Sequence, residues 1–102
     1  MDNSTVASLL QLVEPLAALS TTHLTPATRR KLAAGELSVT AYPNDVGGFV
    51  YVGAPRFNVP AESDLAPIFA LAGRAGIVWL KFDSDAGVVD GLPVFEEEPD
   101  MS

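Results

Sequence analysis

The 102-residue chain contains no cysteine. That excludes a disulfide framework, a thiolate zinc site and a cysteine nucleophile, and it fits a reducing compartment. Histidine occurs once, at His23, so any imidazole chemistry rests on that residue. No stretch approaches the roughly 20 apolar residues that a membrane span needs. The N-terminus lacks a basic start, and Gln11, Glu14 and Pro15 interrupt its apolar run, so it does not read as a secretory signal. A soluble, cytoplasmic protein is expected. Basic residues are also missing from the C-terminal end. Residues 1–81 hold six acids and six bases, whereas residues 82–102 hold seven acids and no base. The net charge of −7 therefore sits in the last fifth of the chain. Direct binding to nucleic acid or to an anionic membrane is disfavoured, since both need a basic surface. Basic protein surfaces are the natural partners.

At 10.7 kDa the chain is expected to form one domain over residues 1–95, followed by an acidic tail at 96–102. Ser4 or Thr5 can cap a first helix carrying Val6, Leu9, Leu10 and Val13 at helical spacing, ending near Glu14 because Pro15 follows. Residues 16–24 read as extended. Thr25-Pro26 is a helix start and Gly35 its stop. Strands are predicted at 37–42 and 49–53, joined by a glycine-containing loop at 43–48, which reads as a flexible hairpin tip. Ser63 or Asp64 caps a helix bearing Leu65, Ile68, Phe69 and Ala72, closed by Gly76. Residues 77–82, apolar on both faces except Lys81, suggest a central strand. A last strand is placed at 92–95, on an edge because of Pro93. The expected fold is α+β, in the order α-β-α-β-β-α-β-β. It is a small, mainly antiparallel sheet of four to five strands covered by two to three helices.

Three segments carry a resemblance: Leu19-Ser20-Thr21-Thr22-His23-Leu24-Thr25, the stretch from Tyr42-Pro43 to Gly48-Phe49-Val50-Tyr51-Val52, and Trp79-Leu80-Lys81-Phe82-Asp83-Ser84-Asp85 with Leu92-Pro93. Together they resemble a family of small bacterial proteins of unknown function, often encoded by plasmids, phages and integrated elements. The resemblance covers about residues 18–95. It implies a compact mixed domain in a mobile-element setting, and it supplies no catalytic residues. Small acidic proteins from such elements are often inhibitors of host defence, CRISPR systems included.

Several segments invite chemistry. Asp83 and Asp85 would point the same way on an extended chain and could hold a divalent cation through hard oxygen ligands. Residues 82–91 also resemble, locally, the nucleophile loop of haloacid-dehalogenase-type phosphatases. That loop lies near the N-terminus of a much larger domain, however, and Ala86 replaces its usual glycine. Turns favour the same residue types for local hydrogen bonds. His23 stands among Ser20, Thr21, Thr22 and Thr25, where a base beside hydroxyls suggests nucleophilic catalysis. A histidine hydrogen-bonded at a strand-to-helix junction is the structural alternative. Arg29-Arg30-Lys31 reads as a solvated helix face. The stretch Glu96 to Asp100, extended, would run roughly 17 Å. It would carry four negative charges, enough for a partial imitation of a phosphate backbone or for a solubilising tail.

The chain is accordingly expected to be a non-enzymatic protein-binding module. Its concrete form is a phage or mobile-element inhibitor that docks an acidic surface on a basic, nucleic-acid-binding host partner. The expected binding residues are Asp83, Asp85, Asp90, Glu96, Glu97 and Glu98, with Tyr42, Phe49, Tyr51 and Phe57 as apolar anchors. No cofactor or metal is expected, and exposed edge strands could pair two copies. Two other classes are a metal-dependent hydrolase or phosphoesterase using Asp83, Asp85 and His23, and an antitoxin-like subunit of a mobile-element cassette.

Overall fold

A computed structural model describes residues 3–53 and 59–95. Within them run helix α1 (Asn3–Gln11), strand β1 (Leu16–Ser20), a 3₁₀ turn (Thr21–His23), α2 (Pro26–Ala34), β2 (Ala41–Asn44), β3 (Gly47–Tyr51), α3 (Leu65–Ala75) and β4 (Trp79–Asp83). The four strands form one mixed sheet in the order β1-β4-β3-β2. β4 pairs parallel with β1 and antiparallel with β3, which pairs antiparallel with β2. The fold class is the expected α+β, with β4 central. No helix among the described residues is long and apolar enough to cross a membrane.

Local chemistry sets the helix ends. Thr25 caps α2 by accepting from the Thr28 amide, Pro26 occupies the first turn, and Gly35 closes it in the left-handed region at φ 72°. Gly76 does the same for α3 at φ 75°. Asp64 stands at the start of α3, yet its side chain does not cap that helix. Its carboxylate instead accepts from the Thr25 amide and the Thr28 hydroxyl, each at 2.8 Å, which ties α3 to the N-terminus of α2. A negative charge there is favoured by the helix dipole.

Four expected elements came out differently. The predicted strand at 92–95 is irregular, because its polar groups are spent elsewhere. Pro93 has no N–H, its carbonyl bonds His23, and the Phe95 amide donates to the Thr22 carbonyl. The extended stretch 16–24 stops at Ser20, where the Ser20 hydroxyl accepts from the Thr22 amide and opens the 3₁₀ turn. Strand β2 begins four residues late, since Ser38 is turned away to Glu62. The six-residue hairpin loop shrinks to Asp45-Val46, because Asn44 and Gly47 are already paired.

Glu62 is buried, and its carboxylate accepts from both the hydroxyl and the amide of Ser38. Burial alone would push the Glu62 carboxyl up. The Ser38 hydrogen bonds, the backbone amide of Glu62 itself and the Lys31 ammonium at 4.0 Å outweigh it, holding the carboxyl below its ordinary value. A folded-state value below the unfolded one contributes stability above the unfolded pKa of about 4.3 and loses it as pH falls through the depressed value. Glu62→Gln is therefore expected to cost about 1–3 kcal/mol at neutral pH. The melting-temperature gap to the wild type should close in acid. Parallel thermal melts from neutral pH into acid check this, and a gap of constant size would refute it.

The core gathers on one face of the sheet. Leu19, Val50, Leu80 and Phe82 meet Leu32 of α2 and Leu65, Ile68, Phe69 and Ala72 of α3. Because side chains alternate along a strand, the odd-numbered residues of β3 and β4 face away from both helices. Among the described residues, only α2 and α3 cover the sheet. No residue of α1 is buried.

Candidate interaction face

The uncovered face follows from alternation and register. On β4 it carries Trp79, Lys81 and Asp83, and on β3 Phe49 and Tyr51, all half-buried. Phe49 pairs with Lys81, and Tyr51 with Trp79, across the β3–β4 ladder. Tyr42 on β2 is paired with Phe49, so it shares the same face. The three larger rings cluster. Tyr51 lies 4.9 Å from Trp79 between ring centroids, and Tyr42 lies 6.2 Å from it, both tilted. Such geometries favour aromatic pairs beyond their area burial. The indole N–H of Trp79 donates to Glu14 at 3.0 Å, which orients the ring from the segment before β1.

One end of this face is acidic. Lys81 and Asp83 form an ion pair at 3.6 Å, and the other Asp83 oxygen accepts from the Asp85 amide at 2.8 Å. Asp83 is thus a turn former and an ion-pair partner at once. Asp85 and Asp90 are exposed on the loop that follows. Backbone bonds anchor that loop: Ser20 donates to Gly87, and Ser84 to Val46.

His23 joins the loop to the segment that leads into the acidic tail. The ring is 1% exposed. Its Nδ1 is 2.8 Å from the Pro93 carbonyl, and its Nε2 is 2.8 Å from the Val89 amide. A carbonyl only accepts and an amide only donates, so Nδ1 carries the proton and the imidazole is neutral. Arg29 reinforces the joint. Its guanidinium donates to the carbonyls of Thr21, Leu24 and Phe95 at 2.7–3.0 Å. Arg29 is therefore no part of a solvated basic face, as its triplet suggested; five donors in a fixed fork suit three convergent carbonyls.

The structure brings Tyr42, Phe49, Tyr51 and Asp83 onto one face, with Asp85 and Asp90 in the turn and loop beyond it. Glu96, Glu97, Glu98 and Phe57 lie outside the described residues. Asp83, Asp85 and His23 are not assembled: among the described residues no three His, Cys, Asp or Glu side chains are placed to share a metal ion. Both nitrogens of His23 are committed to backbone, the arrangement of its structural alternative. Sequence reasoning misses Trp79 as an anchor, reading it within a central strand apolar on both faces except Lys81. The signal was present, since Trp79, Lys81 and Asp83 alternate with the buried Leu80 and Phe82.

Comparison with known proteins adds a family and nothing beyond it. The chain belongs to a family of unknown function: residues 16–97 match the C-terminal domain of DUF5983. Neither a curated protein nor a solved structure matches it.

Proposed function

We propose that this DUF5983 member is a non-enzymatic protein-binding module. It docks its acidic end and the adjoining aromatic sheet face on a basic, nucleic-acid-binding partner. The observation that carries this reading is the uncovered face, where the Tyr42–Trp79–Tyr51 cluster adjoins Asp83 at the acidic end. Aromatic side chains are the usual anchors of protein interfaces, and charge flanking them steers the encounter. His23 supports the reading from behind the surface, because one buried ring holds both the acidic loop and the lead into the tail. The finer version is an inhibitor of a host defence system, carried on a phage or other mobile element and acting in the cytoplasm. In that setting the acidic end occupies a groove built for a phosphate backbone.

The test uses the full chain as bait in host lysate, with duplex oligonucleotide as competitor. A retained basic protein should be displaced by duplex and by raised salt, and it should be lost with Trp79→Ala or on removing residues 96–102. Its association rate should fall by tenfold or more as salt rises, since steered encounters are screened. Retention indifferent to duplex and to salt would overturn the acidic-docking reading.

A further inference from the structure

Helix α1 is nine residues long and stands clear of the body. Every residue from Asn3 to Leu16 is exposed, and the molecule extends 58 Å along one axis against 27 Å along the other two. Isolated helices this short are marginal in water and owe their stability to packing of an apolar face. α1 has such a face. Val6, Leu9 and Leu10 lie at i, i+3 and i+4, Val13 follows just past the helix end, and Leu10 is 68% exposed. With Leu12 these side chains leave roughly 500 Å² of apolar surface, more than the few hundred Å² at which a patch marks an interaction site.

The same chain carries an unfilled receptor for such a helix. Between α3 and the edge strand β1 lies an open recess of about 170 Å³, lined by Ala17, Leu19, Ile68, Leu71, Ala75 and Leu92 among other wholly apolar side chains. It is open because β1 is the last strand of the sheet, and among the described residues no further strand closes that side. Its volume is close to the roughly 150 Å³ of an apolar cavity that accepts a benzene ring, enough for one leucine side chain. Neither surface carries a charge: α1 contains no acidic or basic residue.

We propose that α1 of one copy seats in the α3–β1 groove of a second copy, and reciprocally, so that the protein assembles as a helix-exchanged homodimer. An aliphatic knob at Leu9 or Leu10 fits the recess, following the usual anchor spacing of a helix in a groove. The area is sufficient: two helices and two grooves covered together bury on the order of 1,500 Å², the size of a standard stable interface. A membrane surface is the poorer occupant, because helices that lie on membranes carry Lys or Arg on their polar face, and α1 has none. The two-fold arrangement is also self-consistent, since each copy offers one helix and one groove.

Sedimentation from low-micromolar to submillimolar concentration tests the assembly on the full chain. The wild type should dimerise. Leu10→Asp on the helix and Leu71→Asp at the groove rim should each weaken the dimer by at least about tenfold. Leu10→Asp should leave the body's melting transition unchanged at concentrations where the wild type is monomeric, since that side chain is 68% exposed in one copy, and should lower it where the wild type is dimeric; Leu9→Asp provides a second helix variant should Leu71→Asp disturb folding. The absence of cysteine allows a direct check of which chain supplies the helix. An equimolar mixture of Leu10→Cys and Leu71→Cys chains should oxidise to a disulfide-linked heterodimer. A wild type that stays monomeric throughout would overturn the proposal, as would a dimer indifferent to both substitutions. A Leu10→Cys/Leu71→Cys double variant that closes its disulfide within a monomer would show the helix folding onto its own groove, and would overturn it too.

Discussion

Gly47→Ala is expected to destabilise the protein by about 4 kcal/mol and lower its melting temperature by roughly 20 °C. Gly47 sits in β3 opposite Asp83 at φ 150°, a backbone region that L side chains rarely adopt. A Cβ at this position would lie 2.0 Å from the Phe82 carbonyl oxygen and 2.7 Å from its carbon. Both are backbone atoms of the central strand, so a rotamer change cannot relieve the overlap, and the β3–β4 ladder must part. For a domain of this size about 4 kcal/mol is a large share of total stability. Gly87→Ala is the matched control: nothing lies within 4 Å of its added Cβ, and a change within about 0.5 kcal/mol is expected there. Urea titrations of both variants decide the matter. Equal midpoints would show that the strands at Gly47 do not approach as closely as described.

His23→Ala is expected to cost about 3 kcal/mol, from the cavity left by a fully buried ring and from two lost hydrogen bonds. The effect should be uneven. Val89 and Pro93 are themselves exposed, so water can replace the ring at their backbone groups once the segment moves. Residues 87–95 should therefore open locally in a protein that is otherwise folded, with hydrogen exchange at the Val89 and Phe95 amides accelerating far more than in β4. If the acidic loop and the lead into the tail act as one surface, the same variant should also lose salt-sensitive partner binding. Unchanged exchange at Val89 would remove His23 from that role.

His23 also marks how far the residues could be read in order. Its hydroxyl-rich neighbourhood left both catalysis and a structural bond open, because the groups that decide between them are 66 and 70 residues away in the chain. Arg29 misled for the same reason: a triplet of cations on a short helix looks solvated until the Phe95 carbonyl arrives from the other end of the domain. The glycines at 47 and 48 were read as a flexible tip, the usual use of adjacent glycines. Their actual service is to let β3 lie against neighbouring backbone, a close approach visible only once the strands are placed. The aromatic anchors were more legible. Tyr42, Phe49 and Tyr51 were singled out by their place near loops, and register puts all three on one face.

What the sequence determined by itself is what acts within a few residues. The span of α2 between Thr25-Pro26 and Gly35, the end of α3 at Gly76 and the central apolar strand all follow from local caps, fixed dihedrals and side-chain pattern. So does the concentration of net charge at the C-terminal end. The tertiary structure alone decided that, among the described residues, the sheet keeps one face clear of helices. It also decided that the loop bearing Asp85 and Asp90 shares an anchor with the approach to the tail, that α1 stands apart from the body, and that a groove between α3 and β1 stays open. Each of these depends on which distant backbone groups and apolar surfaces meet, and such pairings leave no periodic trace along the chain.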